Sequence, residues 1–197
     1  MSEMKIIGLT GGIATGKSTA SAFFKERGYD IIDADMIARQ LTQEPAVLNE
    51  IGTLFGQSYL TEEGLLNRAK LAKLIFFQHE EKEKLDQLMA PKIRQRIEER
   101  LAQAKREHQP LVFVDMPLLY EFKMEDLVDQ VLVISTTPSL QCQRLMNRNQ
   151  LSKEEALARI ESQWPLQEKI KRSQWVIENN GSIEQLHIKL SEFLKKV

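Results

Sequence analysis

GLTGGIATGKSTASAFFKERG, residues 8–28, sets a glycine-rich turn between a short apolar run and a helical pattern, and the turn ends in Gly16-Lys17-Ser18. The run before it, KIIGLT at 5–10, has the length and glycine boundary of a buried strand. Beyond the turn the period changes: Ala20, Phe23 and Phe24 fall on one helical face, and Gly28 supplies the stop. Strand, glycine loop, helix is the order in which backbone N–H groups converge on an anion.

Gly11, four residues and then Gly16-Lys17-Ser18 match the Walker A spacing. With average glycine usage the bare pattern arises by chance in about one chain in a hundred of this size, and the strand–loop–helix context makes chance rarer still. Gly11, Gly12 and Gly16 permit the tight turn, while Ile13, Ala14, Thr15 and Thr19 contribute backbone to it. Lys17 reaches the β and γ oxygens of a nucleoside triphosphate, and the Ser18 hydroxyl suits a magnesium ion.

The rest of the chain alternates in the same way. YDIIDAD (29–35), PLVFVDM (110–116), DQVLVIST (129–136) and the start of WVIENNGS (175–182) read as strands. Pro138 is placed for a first helical turn, and SKEE (152–155) and SIEQ (182–185) are capping boxes. Residues 62–107 read as one long helical stretch, with Pro91 beginning or kinking its last helix and Ile93, Ile97 and Leu101 in one stripe. Short buried strands alternating with helices imply an α/β, three-layer fold with a mostly parallel sheet. The helical stretch exceeds a crossover and is expected to be an insert on the substrate side. The expected parts are a nucleotide-binding core at 1–35, 108–140 and 172–197, a helical acceptor-binding region at 36–107, and a helical lid at 141–171.

Bulk properties narrow the classes. A net charge of -1 over 197 residues argues against bulk attraction to nucleic acid or anionic membrane. Cys142 is the single cysteine, so no intramolecular disulfide can form. MSEMKIIGLT lacks the apolar run of a signal peptide, and no stretch approaches the roughly 20 apolar residues of a membrane span. A cytoplasmic protein is expected. KIRQRIEERLAQAKR (92–106) is basic but has no aromatic for base stacking, so it reads as a solvated helix face. His79, His108 and His187 have no metal-ligand spacing.

The remaining question is whether the terminal phosphate goes to water or to an acceptor. The Asp-x-x-Gly and Asn-Lys-x-Asp pair of a GTP switch is absent, as is Leu-Ser-Gly-Gly of a transporter ATPase. Asp33 and Asp35, two apart at the end of the second strand, would point the same way in an extended segment. A carboxylate there can accept a proton from an attacking alcohol, although one Asp can equally cap the next helix. Arg144 and Arg148 lie at i and i+4 in a region (144–172) with seven Lys or Arg against four Glu. Arginine binds phosphate oxygens bidentately and keeps its charge, so phosphoryl transfer to a small molecule is favoured.

IGLTGGIATGKST, DADMIAR, EGLLNRAKLAKLIF, VDMPLLYE, RLMNRN, ARIESQWPLQEK and WVIENNGS occur in an order and spacing that resemble the dephospho-CoA kinases. The resemblance implies ATP and Mg²⁺ as donor and cofactor, and transfer of the γ-phosphoryl group to the ribose 3'-hydroxyl of dephospho-CoA. It implies that Gly11 to Thr19 bind the ATP phosphates with magnesium at Ser18, and that Arg144 and Arg148 clamp phosphates from the lid. Asp35 becomes the expected general base, with Asp33 supporting it or contacting the ribose; sequence does not distinguish which takes the proton. Asn67, Arg68, Pro117 and Leu118 would line the acceptor pocket, with Arg39 a further candidate. Asp115 loosely matches a Walker B aspartate. Ala90 stands before Pro91 where the family usually has histidine. Oligomeric state is not implied.

Overall fold

The computed structural model describes residues 4–197. Strand β1 (Lys5–Gly11) is the centre of a five-stranded sheet of order β2-β3-β1-β4-β5, with β2 at Asp30–Asp33, β3 at Leu111–Asp115, β4 at Gln130–Ser135 and β5 at Trp175–Glu178. β1 pairs in parallel with β3 on one side and β4 on the other, and β4 pairs in parallel with β5. Every residue of β3 is buried, as a sheet covered on both faces requires.

Helix α1 (Lys17–Glu26) and the last helix, α9 (Ile183–Leu194), bury their apolar stripes on one face of this sheet. Phe24 stacks on Phe113 with centroids 4.0 Å apart, Phe23 packs edge-on against Phe24, and the His187 ring lies against Phe23. Helix α8 (Leu166–Arg172) packs against β4. Helices α6 (Pro138–Asn149) and α7 (Lys153–Glu161) enclose a satellite cluster of Cys142, Leu145 and Ala156, against which Ile13 and Ala14 of the glycine loop pack. Cys142 is therefore a small core side chain, with its Sγ 3.8 Å from Met146 Sδ.

The chain divides into two compact units: residues 4–32 with 101–197, and residues 33–100. The second is helical. It contains α2 (Ala34–Leu41), α3 (Pro45–Phe55), α4 (Arg68–Phe77) and most of α5 (His79–Arg106). Ile37, Leu41, Val47, Leu48, Ile51, Leu71, Met89, Ile93 and Ile97 are buried there. Its basic run is largely neutralised within the unit: Arg96 pairs with Glu44 at 2.7 Å and Glu99 at 3.2 Å, Lys92 with Glu50 at 3.0 Å, and Arg94 with Glu98 at 2.9 Å.

Several boundaries differ from the sequence reading. The second strand stops at Asp33, because Ala34 already begins α2. The expected helix over 62–107 starts only at Arg68; before it a turn brings Leu60 into an isolated bridge with Leu66. Pro91 lies inside the 28-residue α5 and does not begin it. Its ring removes one intrahelical donor, a cost the burial of Met89, Ile93 and Ile97 around it offsets. Helix α3, unread in the sequence, begins with Pro45 at its first turn. Both capping boxes form as their residues dictate, at Ser152/Glu155 and Ser182/Gln185.

Candidate active site

From β1 the chain crosses to β2 beyond β3, whereas from β3 it crosses to β4 beyond β1, so the connections leave these two adjacent strands in opposite directions, the arrangement in which a parallel sheet opens a crevice at the carboxyl ends of its strands. The glycine loop emerges into that crevice. Register sets what it meets: Leu9 is beside Asp115 of β3, and Gly11 is beside Ile134 of β4. A Cβ on Gly11 would lie 2.6 Å from the Ile134 carbonyl oxygen, so a side chain is excluded by the neighbouring backbone. Gly16 has φ 97 and caps α1, with Lys17 as the first helical residue.

The loop is clamped from three directions. Thr15 closes it internally, its hydroxyl donating to the Gly12 carbonyl at 2.9 Å. Gln141 of α6 is buried, and its Nε2 donates to the Ile13 carbonyl at 2.8 Å. The Ile13 N–H donates to Gln163 Oε1 at 2.9 Å, from the connector between α7 and α8. Asn179, just after β5, is buried and donates from Nδ2 to the Thr15 carbonyl at 2.9 Å. A Cβ on Gly16 would collide with that same amide. Asn180 Oδ1 accepts from the Thr136 hydroxyl at 2.9 Å and the Thr137 N–H at 3.0 Å, which ties the β5 turn to the end of β4. Gly16→Ala is therefore expected to destabilise the fold by about 1–3 kcal/mol through left-handed backbone strain. It should also displace Asn179, which a lowered Tm together with weakened ATP binding in calorimetry would register.

Lys17 Nζ forms an ion pair with Asp115 Oδ1, with the lysine side chain 16% and the aspartate 5% exposed. The loop lysine and the acidic residue at the end of β3 thus face each other across the β1–β3 pair. Ser18 is exposed in the first turn of α1. Arg144 Nη1 donates to the Asn179 carbonyl at 2.9 Å, so this arginine touches the segment that braces the loop. Arg148, one turn later on α6, is exposed and bonds through Nε to Asn149 Oδ1 at 2.9 Å.

Pro117 and Leu118 follow β3 and are half-buried. The Pro117 carbonyl accepts from the Thr10 hydroxyl at 3.1 Å and from Lys169 Nζ at 2.7 Å. Lys169 is fully buried in α8 and pairs with Glu121 at 2.8 Å. Burial pulls its pKa below the ordinary lysine range; the hydrogen bond and charge of Glu121 oppose this, and the charge of Lys17 adds to the lowering. Glu121 Oε1 also accepts the Trp164 N–H at 3.2 Å. The Trp164 ring stacks on Tyr120 and carries the Arg172 guanidinium 4.9 Å from its centroid.

In the helical unit, Asp33 is the N-cap of α2, its Oδ1 accepting from the Met36 N–H at 2.9 Å. Asp35 lies in the first turn of α2 and is exposed. The expectation that the two carboxylates point the same way along a strand is corrected here: residues two apart on a helix face different directions. The capping alternative holds for Asp33. Asn67 is the N-cap of α4, accepting from the Lys70 N–H at 3.1 Å. Arg68 Nη2 donates to the Thr42 hydroxyl at 2.8 Å and the Arg39 carbonyl at 3.2 Å, and the Arg39 side chain is exposed.

Gln141, Gln163, Lys169 and Asn179 were not among the expected site residues. Polar side chains at buried positions carry no period of their own; the tandem Asn179-Asn180 after a strand was their one visible signal.

The family model for dephospho-CoA kinase matches residues 5–185. A dephospho-CoA kinase of Listeria monocytogenes is 45% identical over 194 residues, covering 98% of this chain and 96% of its own. A solved structure from Thermus thermophilus has a TM-score of 0.84 at 35% identity, covering 100% of this chain and 99% of the other. A dephospho-CoA kinase structure from Campylobacter jejuni gives a TM-score of 0.74 at 31% identity, covering 98% and 97%. A strand–loop–helix phosphate cradle on a parallel sheet, matched to one family over nearly all its length, places this chain in the dephospho-CoA kinase family.

Proposed function

We infer that this chain transfers the γ-phosphoryl group of ATP to the ribose 3'-hydroxyl of dephospho-CoA, giving CoA and ADP, the last step of coenzyme A biosynthesis. The observation that carries this reading is the family match over residues 5–185, which includes the phosphate loop, the acidic pair and the 144–182 region. Phosphoryl transfer needs alignment and charge stabilisation more than covalent chemistry, and the residues divide accordingly. Gly11 to Thr19 hold the β and γ phosphates through backbone N–H groups and the α1 dipole. Lys17 leaves or shares Asp115 to meet the β/γ oxygens, where charge accumulates in the transition state. Arg144 and Arg148, on one face of α6, add positive charge from the lid at 141–171.

Asp35 takes the proton of the attacking 3'-hydroxyl; Asp33, fixed as the α2 cap, supports that helix start. Arg39, Asn67, Arg68, Pro117 and Leu118 contact the acceptor. The Ser18 hydroxyl and the Asp115 carboxylate, oxygen donors suited to a hard cation, would hold Mg²⁺. When bound, that ion neutralises the phosphate oxygens. Removal of divalent metal with EDTA is expected to abolish turnover, with recovery on adding Mg²⁺ in excess. Among the described residues no helix is long and apolar enough to cross a membrane. The lone Cys142 fits a reducing cytoplasmic setting. The ion pairs along α5 favour a solvated surface over a nucleic-acid site.

An acceptor panel tests the function. Mg-ATP is supplied with dephospho-CoA, AMP, CMP, gluconate, shikimate or no acceptor, and ADP release is followed. Turnover with dephospho-CoA alone is expected. Turnover with another acceptor in its place would keep a kinase and overturn this substrate.

A further inference from the structure

Lys169 has no part in the chemistry assigned above, yet its side chain has no exposed surface at all. An ammonium withdrawn from water is strongly unfavourable unless bonded on every side, and an apolar pair of similar volume would hold two elements together as well or better. The bonds it makes are specific. Nζ donates to the Pro117 carbonyl at 2.7 Å and to Glu121 Oε1 at 2.8 Å. The same Pro117 carbonyl receives the Thr10 hydroxyl at 3.1 Å, from the strand that leads into the phosphate loop. Glu121 Oε1 receives the Trp164 N–H, and Glu121 Oε2 is buried with no hydrogen-bond partner among the described residues.

These contacts meet at a short stretch of chain. Asp115, which faces Lys17, lies two residues before Pro117, and the Met116 N–H between them donates to the Leu9 carbonyl at 2.9 Å. Lys17 fixes the start of the turn after β3 and Lys169 fixes its end. The segment that supplies Trp164 also supplies Gln163, which holds the Ile13 N–H of the phosphate loop. One buried cation thus joins the lid connector, the turn after β3 and the strand beneath the loop.

We propose that Lys169 is a positioning residue for phosphoryl transfer: through the Pro117 carbonyl and the Glu121 carboxylate it sets the Asp115–Leu118 turn against the phosphate loop and ties the lid connector to it. This rests on the dephospho-CoA kinase reading, in which that turn faces the acceptor. Misplacing the turn by a fraction of an ångström costs alignment without removing any group that touches the reacting atoms.

The test compares wild type with Lys169→Met/Glu121→Gln, which removes both charges and keeps an acceptor for the Trp164 N–H. Tm, kcat, both KM values and the ratio of ADP formed to CoA formed are measured. The double variant is expected to keep a Tm near that of wild type and an unchanged KM for ATP. Its kcat should fall at least about tenfold, with a raised KM for dephospho-CoA and excess ADP over CoA. Wild-type kcat and coupling in the double variant would overturn the proposal and make the pair structural. Should the double variant not fold, Glu121→Gln alone carries the same expectation of excess ADP, and tight coupling there would overturn it. Wild-type protein without dephospho-CoA-dependent turnover would overturn the underlying function, and this proposal with it.

Discussion

Lys17→Ala is expected to lower kcat by about 10²–10³-fold, the usual cost of removing one preorganised group aimed at developing charge. Its ammonium is the first helical residue after Gly16 and faces Asp115, so it is held at the mouth of the loop by the geometry of β1 and β3. Because the charge on the β/γ oxygens grows toward the transition state, the loss should fall on kcat more than on the KM for ATP. The same substitution removes the lysine partner of a nearly buried carboxylate at Asp115. Removing one partner of a buried pair costs about 3–5 kcal/mol, and the partial exposure of Lys17 puts this case at the low end. Urea unfolding should therefore show a destabilised but folded variant. A variant as stable and as active as wild type would remove Lys17 from both roles.

Asp35→Asn is expected to cut kcat by about 10²–10⁴-fold, the range for loss of a positioned general base. Asparagine keeps the size and the helix position but cannot take the proton. Asp35 lies in the first turn of α2 and is no part of the phosphate loop, so calorimetric ATP affinity should stay close to wild type. Asp33→Asn gives the contrast. Asparagine caps helices nearly as well as aspartate, so a residue whose work is to accept the Met36 N–H should lose little on that change. Loss of turnover at Asp33 with full turnover in Asp35→Asn would exchange the two assignments.

The phosphate loop was legible because its information is local. Glycines at 11, 12 and 16 and the change of period from KIIGLT to Ala20-Phe23-Phe24 state a strand, a turn and a helix without reference to the rest of the chain. The same holds for the capping boxes at Ser152 and Ser182. Asp33 and Asp35 were harder. Whether YDIIDAD continues as strand to its last aspartate depends on how far β2 stays in the sheet, a tertiary matter, and the exit at Ala34 changes the direction of Asp35 entirely. Helix α3 was legible in principle, since Pro45 and buried Val47, Leu48 and Ile51 have the right spacing, but its short apolar run reads equally as a strand. The braces of the loop lay beyond reach. Gln141, Gln163 and Asn179 act over separations of 128, 150 and 164 residues. Only the closure of α6, the α7–α8 connector and the β5 turn around β1 gives such amides a partner.

In this family assignment the terminal phosphate moves to an acceptor and not to water. Single-turnover reaction of enzyme with ATP labelled in the γ-phosphoryl group, Mg²⁺ and dephospho-CoA tests it most directly. The label is expected in CoA, at the ribose 3' position, with little released as inorganic phosphate. Label recovered as inorganic phosphate at the same rate with and without dephospho-CoA would contradict it.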